Sequence, residues 1–252
     1  MIKLRFASPE MLVDINELPG LDYLRRDDDG TLHIGALSRH AALERSALLA
    51  AHQPTMASAA PLVADPIVRI RGTLVGSLCH ADPQGDWASV MASLDGQLVA
   101  HGPKGQRTIQ VKEFVRGPFQ NVLAPDEIAV EAIVPAPQGV PAGGYLKLER
   151  RVGDFATAGV AVSIDRLGTK VTRAGIALTG VGGSTISAEE AAGLLVGGAL
   201  TSEAIGEAAE LAAQAAQPRT DHRGSASFKR QIVRVFTTRI LTRLIQSEEE
   251  AA

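Results

Sequence analysis

The chain has 252 residues, 45% of them hydrophobic, enough apolar material for a substantial core and two units of structure. A formal net charge of −3 gives no overall electrostatic argument for nucleic acid or an anionic membrane as partner, and no run of about 18 apolar residues marks a transmembrane segment. Cys79 stands alone, which excludes an intrachain disulfide framework or a cysteine zinc cage and suits a reducing cytoplasm.

Taken in order, Met1–Phe6 alternates like a strand and lacks the apolar core of a secretory signal. Met11–Ile15 predicts a second short strand beyond Ser8-Pro9. Tyr23–Arg26 and Thr31–Leu37 flank Asp27-Asp28-Asp29-Gly30, an Asp-Gly turn that predicts a hairpin, with an acidic exposed turn weighed against a metal loop. Ser38 is placed to cap a helix through Ala41, Leu43, Leu48 and Leu49. Met56–Val63 reads as a second helical run, and Asp65-Pro66 opens a short third.

A glycine-containing loop follows at Arg71-Gly72-Thr73-Leu74-Val75-Gly76-Ser77-Leu78-Cys79-His80-Ala81-Asp82-Pro83-Gln84-Gly85-Asp86. Trp87, Val90, Met91 and Leu94 then share one helical face, read as core, with a flavin-stacking role for Trp87 as the lesser reading. Gln97–His101 and Thr108–Val111 form a hairpin about Gly102-Pro103-Lys104-Gly105, Lys112–Phe119 is a short helix or irregular, and Ile128–Val134 is a strand. The proline- and glycine-rich stretch 135–144 marks a domain boundary or a crossing between two sheets. Beyond it, Tyr145–Arg150, Ala156–Asp165 and Lys170–Leu178 predict a small antiparallel sheet, and Ser187–Leu195, Thr201–Ala216 and Ala226–Ile245 predict helices, with Glu248-Glu249-Glu250 fraying. The basic side chains of the last helix read as a solvated face or a partner contact.

The chemistry concentrates in two segments. In the glycine-containing one, Thr73 and Ser77 offer hydroxyls to anionic oxygens, Gly72 and Gly76 permit close backbone approach, and Asp82 and Asp86 are acceptors suited to ribose or ribityl hydroxyls. The same residues also permit a bland loop. His80 with Asp82 lacks the further ligands of a metal site, and Cys79 beside His80 is by default a buried thiol rather than a nucleophile. The segment is neither a P-loop nor a dinucleotide fingerprint. In Tyr145-Leu146-Lys147-Leu148-Glu149-Arg150-Arg151-Val152-Gly153-Asp154-Phe155-Ala156, the cations Lys147, Arg150 and Arg151 can serve a flavin or phosphate, or be neutralised by Glu149 and Asp154.

Together the two segments resemble those of the FAD-binding medium subunits of molybdenum hydroxylases, including the carbon monoxide dehydrogenase medium subunit and the FAD domain of xanthine dehydrogenase. The family's segment reads Thr-Ile-Gly-Gly-Ser/Asn followed by a downstream Asp, and the similarity runs from Arg69-Ile70-Arg71-Gly72 to the terminal helix. The resemblance implies an α+β fold, an FAD-binding domain of the p-cresol methylhydroxylase-like type over residues 1–137, and a small antiparallel sheet with helices over 144–246. It implies FAD contacts from Thr73, Leu74, Val75, Gly76, Ser77, Asp86, Ile128 and Lys147, with Val75 standing where the family has glycine. No catalytic or metal-binding residue is assigned.

The partners implied are an iron–sulfur small subunit and a molybdopterin large subunit in a cytoplasmic hetero-oligomer. One cysteine cannot hold an iron–sulfur cluster, so the clusters belong to another chain. The family also carries an upstream Ala-Gly-Gly-x-Ser/Thr loop before a strand resembling Met1-Ile2-Lys3-Leu4-Arg5. Its absence here implies a truncated cradle, whether from a misplaced start, a shortened chain or a natural deletion. The rival reading is a structural subunit that keeps the fold and binds no FAD.

Overall fold

The structure, a computed structural model, describes residues 8–249. The strand expected at Met1–Phe6 and the end of the acidic tail at Glu250 lie outside the described residues. Two antiparallel sheets carry the architecture. The first is five-stranded, ordered β1 (Leu24–Arg26), β2 (Leu32–Gly35), β7 (Ile128–Val134), β3 (Gln97–Gly102) and β4 (Gly105–Gln110). The second is four-stranded, ordered β11 (Ile186–Ser187), β10 (Lys170–Thr179), β9 (Ala158–Leu167) and β8 (Val140–Leu148). A small ribbon of β5 (Val115–Gly117) and β6 (Gln120–Asn121) stands apart.

Helices of the first half are short: α1 (His40–Glu44), α2 (Ala47–His52), α3 (Pro54–Ala59), α4 (Pro66–Arg69), α5 (Leu74–His80), α6 (Asp86–Ser93) and α7 (Val111–Phe114). The second half carries α8 (Glu189–Leu195), α9 (Ser202–Ala215) and α10 (Ala226–Glu249), with the backbone helical through Glu249. Thr201 caps α9 through its hydroxyl, which accepts the Ala204 N–H.

One core forms around Trp87, Met91, Leu74, Leu78, Leu98 and Phe114, between the first sheet and α5–α6. The other packs Val160, Val162, Ile164 and Leu178 against α9 and α10 through Ile205, Ala208, Val233 and Leu241. Strand β9 is buried along Ala158–Asp165, because α6 covers one face of its sheet while α10 covers the other. That contact is close: a Cβ on Gly175 of β10 would lie 1.9 Å from the Ser93 carbonyl oxygen at the end of α6. Any side chain at Gly175 would force these layers apart.

Several expectations are corrected. Met11–Ile15 forms no strand; Met11, Leu12 and Val13 are exposed, so little burial offsets the cost of ordering them, and no strand among the described residues pairs with them. Ser38 does not cap a helix; its hydroxyl donates to the Tyr23 carbonyl, Arg39 takes the cap position, and the expected single helix breaks so that Ser46 caps α2. The glycine-containing stretch is not a loop: Leu74–His80 is helical, and Thr73 caps it by accepting the Gly76 N–H. Stretch 135–144 crosses between the sheets, and β8 already begins at Val140. The Asp27–Gly30 turn behaves as a turn, with Asp29 accepting from Thr31 and Asp27 paired to Arg25.

Candidate functional site: a cavity beside the glycine-containing helix

A cavity of about 770 Å³ opens where α1, α4, α5, the start of α6, β7 and the segment after β8 converge. Of the predicted residues, it gathers Thr73, Val75, Gly76, Ser77, Asp86 and Ile128 on its wall. Leu74 and Lys147 do not line it. Leu74 is fully buried in the first core. Val75 is 2% exposed on a helix, which accommodates its Cβ by packing the side chain inward. Much of the remaining wall is apolar, including Leu37, Val63, Val68 and Phe155.

The helix start explains the polar edge. Thr73 is extended and its hydroxyl oxygen takes the Gly76 N–H at 3.0 Å, leaving the hydroxyl proton free to donate. A Cβ on Gly76 would come within 2.8 Å of that same oxygen, so glycine keeps the cap tight. The N–H groups of Leu74 and Val75 open the helix and have no intrahelical carbonyl.

Asp86, first residue of α6, supplies the acceptor. Its Oδ1 accepts the Tyr145 hydroxyl at 2.6 Å and its Oδ2 accepts Lys147 Nζ at 3.2 Å. Lys147 Nζ also donates to the Asp154 carbonyl at 3.0 Å and lies 3.2 Å from Glu149 Oε2. That Glu149 oxygen is buried without a hydrogen bond, so one ammonium sits between two carboxylates. Burial raises the Asp86 carboxyl above its ordinary range, and Lys147 only partly pulls it back. Burial, with Asp86 alongside, holds the Tyr145 phenol well above its usual value. Lys147 therefore acts on the cavity through Asp86: the salt-bridge reading of this segment and its positioning role are one arrangement.

Residue His40 joins the site without having been singled out by the sequence. Its Nδ1 accepts the Trp87 indole N–H at 3.0 Å, and burial, with Arg69 adding to it, pushes the imidazole down to about 4. Trp87 is itself sealed in the core, which removes the flavin-stacking reading. No local signal links His40 to Trp87, because the two meet only when α1 packs on α6. Tyr145 opens the basic segment 145–156, but its aim at Asp86 is likewise set by the sheet register. The nucleophile reading of Cys79 and the metal reading of His80 with Asp82 find no support in the geometry. Burial pushes the Cys79 thiol up to about 11, the His80 ring packs on Phe119, and no three metal-ligating side chains converge among the described residues.

The residues fit a large, mostly apolar ligand carrying hydroxyls and anionic oxygens. Donors sit at the α5 edge, and Asp86 keeps lone pairs beyond the two it spends on Tyr145 and Lys147.

Sequence comparison agrees with this reading. Residues 1–137 match the family described as FAD binding domain in molybdopterin dehydrogenase, and residues 144–244 match the CO dehydrogenase flavoprotein C-terminal domain. The chain is 39% identical to the carbon monoxide dehydrogenase medium chain of Hydrogenophaga pseudoflava over 91% of this chain and 79% of that protein. It is 36% identical to the 6-hydroxypseudooxynicotine dehydrogenase complex subunit alpha of Paenarthrobacter nicotinovorans over 97% of this chain and 83% of that one. The fold superposes on a chain of the Hydrogenophaga pseudoflava carbon monoxide dehydrogenase that lacks the Mo-pyranopterin moiety, with TM-score 0.90 and 39% identity, covering 96% of this chain and 84% of that one. The chain belongs to the family of FAD-binding flavoprotein subunits of molybdopterin dehydrogenases, an oxidoreductase family whose cofactor is FAD.

Proposed function

We propose that this chain is the electron-transfer subunit of a molybdenum-containing dehydrogenase or hydroxylase. It takes electrons from iron–sulfur clusters in a small subunit, fed by a molybdopterin large subunit, and passes them through FAD to an external acceptor. The cavity that brings Thr73, Gly76, Ser77, Ile128 and Asp86 together carries the reading. FAD, when bound, supplies the one- and two-electron chemistry. The chain's own task is to hold and orient it. The α5 edge offers hydroxyl and backbone donors, Asp86 accepts from hydroxyls, and Ile128 and Val75 exclude water from an apolar wall. Lys147 and Tyr145 fix the Asp86 carboxylate, and Leu74 contributes its backbone alone. None of these residues makes or breaks a bond.

The same reading takes residues 1–137 and 144–246 as two domains, the first of the p-cresol methylhydroxylase-like type, in a cytoplasmic hetero-oligomer. No helix among the described residues is long and apolar enough to cross a membrane. A fold-retaining subunit without FAD is disfavoured by the open cavity and by an Asp86 whose charge is only partly compensated inside the protein.

The test is the visible spectrum of the protein, purified alone and with its co-purifying partners. Flavin absorption in the blue, release of FAD on denaturation, and iron and molybdenum in the assembled complex are expected. Protein that stays colourless with excess FAD in both states would overturn the proposal.

A further inference from the structure

The His40 ring is 4% exposed yet lines the cavity. Indole N–H is only a donor, so the 3.0 Å contact with Trp87 requires His40 Nδ1 to accept. The proton of the neutral imidazole is therefore fixed on Nε2. No acceptor for Nε2 is found among the described residues; His40 lines the cavity with its Nε2 edge beside Gly72, where an added Cβ would lie 2.8 Å from Nε2.

Its surroundings say what kind of acceptor is missing. The His40 backbone N–H bonds the Gly72 carbonyl at 3.0 Å, and Arg39 bridges to Thr73, so the ring stands beside the donor edge of α5. Arg71 also lines the cavity and meets no carboxylate among the described residues. By contrast, each carboxylate on the same wall is already engaged. Asp86 holds Lys147 and Tyr145, Glu127 holds Arg107 at 2.6 Å, and Asp154 holds Arg223 at 3.3 Å. Donors that meet no protein acceptor therefore stand beside the start of α5, where an anionic group would be received.

We propose that the Nε2–H of His40 is a binding donor to a phosphate oxygen of the FAD pyrophosphate, held in the donating tautomer by Trp87. This rests on the reading that the cavity takes FAD. A neutral donor of this kind adds direction without adding charge, complementing Arg71. Trp87 is a positioning residue: it acts on the ligand through the imidazole.

The test combines variants with a direct view of the proton in the wild-type chain. In FAD titrations followed by flavin fluorescence, His40→Leu is expected to weaken binding about tenfold, while His40→Gln, which keeps an N–H donor, stays within about threefold of wild type. So that the test does not depend on the folding of His40→Leu, ¹⁵N-labelled wild type is titrated in parallel by NMR. FAD should shift the His40 Nε2–H resonance and slow its exchange with water, and riboflavin, which has no phosphate, should leave it unchanged. Equal shifts with riboflavin would overturn the phosphate assignment. Tight FAD binding with an unperturbed Nε2–H, or with His40→Leu unaffected, would overturn the role of His40 while leaving the flavoprotein reading intact. Failure of the wild-type complex to bind FAD would overturn both.

Discussion

Two buried carboxylates in this chain face opposite fates. Asp165, on β9, is 1% exposed and closed off by its own structure: Oδ2 accepts Arg173 Nε at 2.8 Å and the Gln138 N–H at 2.9 Å, while Arg173 also reaches Ser163 and the Ser93 carbonyl. Asp86 is 6% exposed and stands on the wall of a large cavity, sharing Lys147 with Glu149. The first charge is spent on joining the second sheet to α6. The second is held in place but left with acceptor capacity. Burial alone does not distinguish a structural carboxylate from a ligand-binding one; the balance of donors around it does.

Breaking the closed pair should have the largest effect on stability. Arg173→Ala leaves Asp165 buried without its cation and is expected to cost about 3 to 5 kcal/mol in chemical denaturation, since an uncompensated interior charge remains. Protein that folds should still bind FAD with unchanged affinity. Loss of flavin affinity without loss of stability would reverse the assignment of the two carboxylates.

Histidine 40 gives the next effect, through pH. Its imidazole titrates at 6.5 unperturbed and at about 4 in the fold. Between those values the unfolded chain binds a proton that the native chain refuses. His40 therefore contributes nothing adverse above about pH 7, and stability is lost as pH falls toward 4, by up to roughly 3 kcal/mol. His40→Gln should remove that part of the acid slope, read as the difference between the two proteins in urea unfolding at pH 7 and pH 4. Parallel slopes would show that His40 is not buried neutral.

Opening the site-side carboxylate sharpens the contrast in the other direction. Asp86→Ala should weaken FAD by about 1.5 to 3 kcal/mol, the range for hydrogen bonds to a charged group. It should destabilise the fold less than Arg173→Ala does, because Lys147 keeps Glu149. Asp28→Ala, in the turn, should leave both properties within about 0.5 kcal/mol of wild type. If both aspartate variants retain FAD equally, Asp86 is not a ligand.

The smallest expected effect is at the helix start. Thr73→Ala removes the cap on Gly76 and should lower stability by about 1 kcal/mol and flavin affinity with it, whereas Thr73→Ser should restore both. Restoration of stability without affinity would confine the threonine to a capping role.

How far the sequence reached can be judged at particular residues. The hairpin at Asp27–Gly30, the core face of Trp87, Val90, Met91 and Leu94, and the strands of the second sheet were legible because periodicity and turn chemistry are local. The hydroxyls of Thr73 and Ser77 and the carboxylate of Asp86 were legible as a chemical inventory. Their structural setting was not: a segment with two glycines reads as a loop, yet Thr73 closes it into a helix and Val75 and Leu78 anchor that helix in the core. Met11–Ile15 shows the opposite failure, where a strand-like composition found no partner edge among the described residues.

Sequence by itself determined the family, the two-sheet α+β composition and the residue types that a flavin would need, because these are written in order along the chain. Only the tertiary structure decided which of them share a wall. It sent Leu74 inward, placed Lys147 behind Asp86 rather than in the cavity, and brought His40 onto Trp87 from 47 positions away. The reason is physical: side-chain direction depends on helix phase and strand register, and those are fixed by what the neighbouring elements can bury and hydrogen-bond.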